Sequence, residues 1–148
     1  MIKFSKISFF FFLVLILSCG IQIKDGDLDR AGFLNDNCIQ LLLKFSPAEG
    51  ASGLVNSRNS AYQNYRQQLY DNALEQLSEL YFNEKLKNEK KISSIELKKN
   101  LEEQLTPIIK KGHVAAEYYD EDHSLVVVYR IKRTDIKKII ESIDLTEK

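Results

Sequence analysis

The sequence predicts an α+β domain in which a small three-stranded antiparallel sheet carries helices on one face. Three segments alternate apolar and polar residues with the period of two that is typical of a strand with one buried face. Three other segments repeat apolar residues at steps of three and four, as an amphipathic helix does. Helices that cover one face of a sheet bury both kinds of apolar surface. The 148 residues suffice for one such domain.

The first strand is predicted over residues 39–45, where every second residue from Ile39 to Phe45 is apolar. A loop of small residues, 50–57, then leads into a long helix from about residue 59 to 86, which Ser57 or Asn59 can cap. Its apolar stripe consists of Tyr62, Tyr65, Leu69, Ala73, Leu77 and Leu80. These tyrosines pack the helix on the sheet in one interpretation and form a binding face in the other.

A shorter helix follows, opened by Ser93 or Ser94 and ended or bent at Thr106-Pro107. Its leucines, spaced by four, are Leu97, Leu101 and Leu105. Two alternating segments, 114–119 and 125–131, flank a short acidic connection and predict a β-hairpin. Thr134 is expected to cap a last helix with the stripe Ile136, Ile139, Ile140 and Ile143.

The beginning of the chain has the pattern of an export signal. Lys3 and Lys6 precede an uninterrupted apolar run, Phe9 to Leu17. The run is shorter than the roughly 20 apolar residues that a membrane-spanning helix needs. Residues 1–18 are therefore interpreted as a signal peptide that is removed from the mature protein.

Residues 16–20 read Ile-Leu-Ser-Cys-Gly and resemble the lipobox of bacterial lipoproteins, in the looser spirochaete-like form that tolerates Leu17. The resemblance implies that Cys19 Sγ receives a diacylglyceryl group, that cleavage precedes Cys19, and that palmitate-type acyl chains form a lipid anchor. The alternative is an ordinary secretory signal with an incidental cysteine. Residues 19–37 are then the lipidated N-terminus and a flexible tether, and residues 38–148 a single α+β domain. Cys38 is left as a lone thiol, either a small buried hydrophobe or a reactive group.

Composition excludes several function classes. Lys+Arg and Asp+Glu are 21 each, so the chain lacks the positive charge of a nucleic-acid-binding protein, and no attraction to anionic lipid is evident. Two cysteines and two histidines are too few for a zinc cluster. Asp25, Asp27 and Asp29 have the spacing of a calcium loop, but Arg30 replaces its glycine and Asp36 its final glutamate. The acidic turn 120–123 is at most a weak metal ligand set, so no metal is expected.

An enzyme is not expected either. His113 and His123 are the candidate bases of a hydrolase, and the candidate nucleophiles are Ser60, Ser78 and Ser94. None of these serines lies in a G-x-S-x-G setting, and the chain has no glycine-rich phosphate loop. We therefore assign no catalytic residue, no cofactor and no small-molecule substrate.

A small-residue loop, Gly50 to Gly53, enters a long helix that begins Ser57-Arg58-Asn59-Ser60-Ala61, and a strand, an acidic turn and a strand lie far downstream. Over residues 39–131 this arrangement resembles the family of small bacterial membrane-associated lipoproteins of the twenty-kilodalton LPP type. The resemblance implies an envelope-anchored binding or assembly module without established catalytic residues.

The expected function is that of a lipid-anchored lipoprotein of the bacterial cell envelope that binds another envelope protein. We expect the outer membrane, because Gly20 lacks the acidic character that retains some lipoproteins at the inner membrane. The alternative function is a surface-exposed adhesin that binds host or environmental macromolecules.

Overall fold

The computed structural model describes residues 28–85 and 95–143. Within these residues the chain forms an α+β fold with a four-stranded antiparallel sheet and three helices. The strand order across the sheet is β1-β2-β4-β3. In chain order the elements are β1 (Gly32–Asn35), β2 (Cys38–Phe45), α1 (Leu54–Lys85), α2 (Ile95–Ile109), β3 (His113–Tyr119), β4 (Leu125–Lys132) and α3 (Ile136–Glu141).

The predicted three-stranded sheet is wrong by one strand. The additional strand β1 lies within residues 19–37, which the sequence assigns to a flexible tether. It pairs antiparallel with β2, with Gly32 opposite Gln40 and Phe33 opposite Ile39. Four residues are too few to display a period of two, and the flanking Asp, Asn and Gly residues favour a loop instead. Folded structure therefore begins closer to Cys19 than the sequence pattern indicates.

The strands β2 and β4, each predicted from its alternation, pair with one another and form the middle of the sheet. Its register runs without a shift from Cys38 opposite Lys132 to Phe45 opposite Leu125. One face of the pair packs against the helices, and its side chains are buried: Ile39, Leu41, Leu43, Phe45, Leu125, Val127, Tyr129 and Ile131. Leu77, Tyr81, Leu101, Leu105 and Ile109 of α1 and α2 complete this core. The core therefore lies between the sheet and the helices.

Both long helices differ in their bounds from the sequence prediction. The helix α1 starts at Leu54, after Gly53 at φ +81°, so Ser57 lies inside the first turns and is not its cap. The helix α2 continues through Pro107 to Ile109. The carbonyl of Ile109 accepts hydrogen bonds from the Gly112 amide at 2.9 Å and the buried Tyr129 hydroxyl at 2.7 Å. Ser93 and Ser94, which were predicted to open this helix, lie outside the described residues.

The turn between β1 and β2 is held by the connection from β4 to α3. Asn37 Oδ1 accepts a hydrogen bond from the Asp135 amide at 2.7 Å, and the Asn37 carbonyl accepts one from the Arg133 amide at 3.0 Å. Asp135, at φ +54° and without a side-chain cap, is the N-cap of α3, so the predicted capping role of Thr134 is wrong. These bonds fix the end of the sheet where β2 begins and β4 ends.

Candidate binding surfaces

The predicted lipidation site, Cys19, lies outside the described residues, as do Asp25 and Asp27 of the candidate calcium loop. The described chain begins at Leu28, nine residues after Cys19. Among residues 28–85 and 95–143 no helix combines the length and the apolar composition that crossing a membrane requires.

The sheet face away from the helices carries a buried polar residue, Gln40, which is fully shielded from solvent. Its Nε2 donates a hydrogen bond to the Arg30 carbonyl at 2.7 Å. Its Oε1 accepts one from Arg130 Nε at 2.6 Å. A buried amide is costly unless it is paired, so these bonds stabilise the position of both partners. One side chain thus joins the incoming chain to the guanidinium on β4.

An open cavity of about 790 Å³ lies at the end of the sheet where β2 begins. We call it the basic cavity; the charged residues and the thiol that line it are Asp36, Cys38, Arg130, Lys132 and Arg133. The Arg133 amide bonds to the adjoining turn, so the backbone that carries the cations is fixed. Among the salt bridges of the described residues, none involves these three cations. The lining therefore carries three positive charges against one negative charge.

Two predicted functional residues border or line this cavity. Cys38 is buried, with 7% of its surface exposed, and has a free thiol. His113 is exposed and pairs with Arg130 across β3 and β4. His113 is thus placed beside the Arg130 position at this end of the sheet.

A second surface is formed by the start of α1 and the edge strand β3. We call it the aromatic surface and define it by Leu54, Val55, Arg58, Tyr62 and Tyr119. The Arg58 guanidinium lies 4.8 Å from the centre of the Tyr119 ring, in the geometry of a cation–π pair. Leu54 is 49% exposed, Val55 68% and Tyr62 38%. A cluster of exposed apolar side chains of this kind is typical of interaction sites.

Some tyrosines of α1 pack the helix on the sheet and others are exposed, so both interpretations of the sequence apply. Tyr81 is buried in the core. Tyr65 packs on Phe45 with ring centres 5.5 Å apart, and burial, followed by a hydrogen bond with Glu117, raises its pKa to about 12. Tyr62 and Tyr70 are exposed. Tyr62, which belongs to the aromatic surface, has its ring centre 5.6 Å from that of Tyr65.

The acidic turn between β3 and β4 binds a lysine. Lys44 Nζ lies 2.9 Å from Asp120 Oδ2 and 2.8 Å from Asp122 Oδ2. Within the described ranges no three His, Cys, Asp or Glu side chains converge as a metal site. His123 has φ +65°, a backbone conformation that glycine favours. Its Nδ1 is buried without a hydrogen-bond partner.

The candidate nucleophiles are engaged with the main chain. Ser60 Oγ accepts a hydrogen bond from the Ala48 amide at 2.8 Å. Ser78 Oγ donates one to the Leu74 carbonyl, also at 2.8 Å. Ser94 lies outside the described residues.

We expect the Lys44 contacts to make stability depend on acid pH. The Lys44 hydrogen bond is the main cause that lowers the pKa of Asp122 from 3.8 to about 2. Because the pKa is lower in the folded state, this contribution is present above pH 3.8 and is lost as pH falls through about 2. In urea unfolding from pH 6 to pH 2, Asp122→Asn should be less stable than the parent at pH 6, and the difference should become much smaller as the pH approaches 2. Glu121→Gln removes a neighbouring charge outside the Lys44 pair and should show no such convergence.

The sequence interpretation missed the basic cavity. Its signal is local: Arg130, Lys132 and Arg133 fall within four residues at the end of a predicted strand. The balanced total charge hides this cluster, and only the pairing with β2 places it beside Cys38 and Asp36.

The chain was compared with family models, with curated proteins and with solved structures, and none of them matches the chain.

Proposed function

We propose that the chain is a lipid-anchored lipoprotein of the bacterial cell envelope whose domain is a non-enzymatic binding or assembly module. The observation that carries the proposal is the position of Cys19, at the end of the apolar run and nine residues before the described domain. A thiol there is the nucleophile that takes up a diacylglyceryl group. Two or three acyl chains anchor a protein stably, whereas one chain is marginal. The outer membrane is the proposed location.

The aromatic surface supports a protein as the partner of the domain. Interfaces are enriched in Tyr and Arg, and exposed aromatic side chains supply contact area at a low cost in conformational entropy. Leu54, Val55 and Tyr62 offer such area beside the Arg58–Tyr119 pair. The edge strand β3 adds main-chain groups that an extended segment of a partner can pair with.

The anchor is tested by intact mass spectrometry of the protein extracted from native membranes. We expect a chain that begins at residue 19 and carries two or three acyl chains. The Cys19→Ser variant should leave the membrane fraction. An unlipidated mature chain would overturn the anchor, and Cys19 and Cys38 would then both be available as thiols.

The partner is tested by a photo-crosslinking side chain placed at position 62 in living cells, with position 70 as the matched control. Both positions are exposed tyrosines of α1. We expect position 62 to give a discrete crosslinked species that Val55→Ala weakens, and position 70 to give none. Equal crosslinking from both positions would count against the aromatic surface.

Protease treatment of intact cells separates this proposal from the adhesin alternative. A domain that faces the periplasm is protected until the outer membrane is opened. Cleavage in intact cells would instead favour an adhesin, with the aromatic surface directed at a macromolecule outside the cell.

A further inference from the structure

We propose that the basic cavity docks the domain onto the phosphate groups of anionic lipid headgroups, in the membrane that holds Cys19. The proposal rests on the lipid anchor proposed above, because the anchor brings the domain to a bilayer. It is carried by the juxtaposition of three cationic side chains with the point at which the chain enters the domain.

The charges of the domain are separated along the sheet. The end of the sheet where β2 begins and β4 ends carries the three cations of the basic cavity. His113, at the start of β3, pairs with Arg130 at this end. The other end carries the acidic turn 120–122. The eight residues of β2 span about 23 Å, more than two Debye lengths at physiological salt. The acidic end therefore does not cancel the field of the basic end at a nearby membrane.

The chain enters the domain beside the cavity. The Arg30 carbonyl and the Arg130 guanidinium bind the same amide, that of Gln40, at 2.7 and 2.6 Å. The eleven steps along the chain from Cys19 to Arg30 can span at most about 40 Å. The tether is thus attached at the cationic end of the sheet, and a short tether holds the cavity at high effective concentration near the headgroups.

The donor groups suit phosphate. Guanidinium presents paired N–H donors that match phosphate oxygens, and Lys132 adds a mobile ammonium group. Asp36 is the opposing charge in the lining. Asp135, two residues after Arg133, pairs with Lys138 at 3.1 Å. The cavity therefore keeps a net positive charge.

Docking leaves the aromatic surface on the part of the domain that is away from the membrane. The basic cavity faces the membrane, and the aromatic surface lies near the far end of β2, where Phe45 contacts Tyr65. A partner can then bind the aromatic surface without displacing the domain from the headgroups. The domain would then present one fixed orientation to its partner.

The test uses the mature chain, residues 19–148 with Cys19→Ser, which keeps every described element and carries no acyl chain, so any binding to vesicles comes from the domain itself. Its binding to vesicles of phosphatidylcholine alone is compared, at about 0.15 M salt, with its binding to vesicles that also contain phosphatidylglycerol. We expect binding only where phosphatidylglycerol is present. Lys132→Gln with Arg133→Gln should lower this binding about 25-fold, since each cation near the surface contributes about fivefold.

The matched control is Lys98→Gln with Lys99→Gln, which removes the same charge from exposed positions of α2. It should change binding by no more than about twofold if the site is local. Equal losses in both double variants, or equal binding to both kinds of vesicle, would overturn the proposal. A titration with inorganic phosphate that saturates the cavity without any preference for phosphatidylglycerol would also overturn membrane docking and assign the cavity to free phosphate. Because this chain carries no lipid, each result is independent of the mass measurement on Cys19.

Discussion

Replacing Gly112 by alanine is expected to destabilise the domain by about 3 kcal/mol. A Cβ atom at Gly112 would lie 2.3 Å from Tyr129 Cε1 and 2.5 Å from Cζ, well inside van der Waals contact. The Tyr129 ring cannot yield cheaply, because it is 2% exposed and its hydroxyl is bonded to the Ile109 carbonyl. Relief of the clash requires that bond or the packing of α2 against β4 to be given up. Urea unfolding of the two proteins measures the difference.

A double-mutant cycle shows whether the ring is the obstacle. Tyr129→Leu shortens the side chain and is itself destabilising, since it leaves a cavity and removes the bond to Ile109. In that background Gly112→Ala should cost much less than in the parent, so the two changes are strongly non-additive. An equal cost in both backgrounds would show that the strain lies elsewhere. Lys111→Ala, at an exposed neighbouring position, should change stability by less than about 0.5 kcal/mol.

Periodicity predicted the elements that depend on burial. The alternation of β2 and β4 is long, because eight residues of each pair in register and bury a continuous apolar row. The stripe of α1 is visible for the same reason. By contrast β1 pairs through three positions only, and just two of its four residues, Phe33 and Leu34, are half-buried apolar residues, so it leaves little hydrophobic signal. The prediction failed where pairing is set by backbone hydrogen bonds and turn geometry and not by an apolar pattern.

The candidate surfaces were predicted less well than the fold. The alternating pattern predicts that Gln40 is one of the solvent-facing polar residues of its strand. In the structure Gln40 is fully buried and its side chain joins Arg30 to Arg130. No local pattern reports such a contact, because its partners are 10 and 90 residues away in the chain. Total charge is uninformative for a related reason. It averages over a basic and an acidic end that the antiparallel hairpin holds apart.

Truncating Leu77 to alanine is the second change with a large expected effect, about 3 kcal/mol of lost stability. Leu77 is 1% exposed and belongs to the core between α1 and the sheet. Alanine is an excellent helix former, so the loss reports packing and not helix propensity. For a domain of this size the melting temperature should fall by roughly 10 °C or more. Thermal unfolding and urea unfolding should both show that Leu77→Ala is less stable than the parent and less stable than the exposed-site control Leu54→Ala.

Leu54→Ala is the matched control, since it makes the same change on the same helix at a side chain that is 49% exposed. Its effect on stability should stay within about 0.5 kcal/mol. Similar losses from both variants would mean that α1 does not pack through Leu77. The contrast also bears on function, because Leu54 belongs to the aromatic surface. A Leu54→Ala chain that keeps its full stability but loses crosslinking at position 62 would locate partner binding on that surface, since unfolding could not explain the loss.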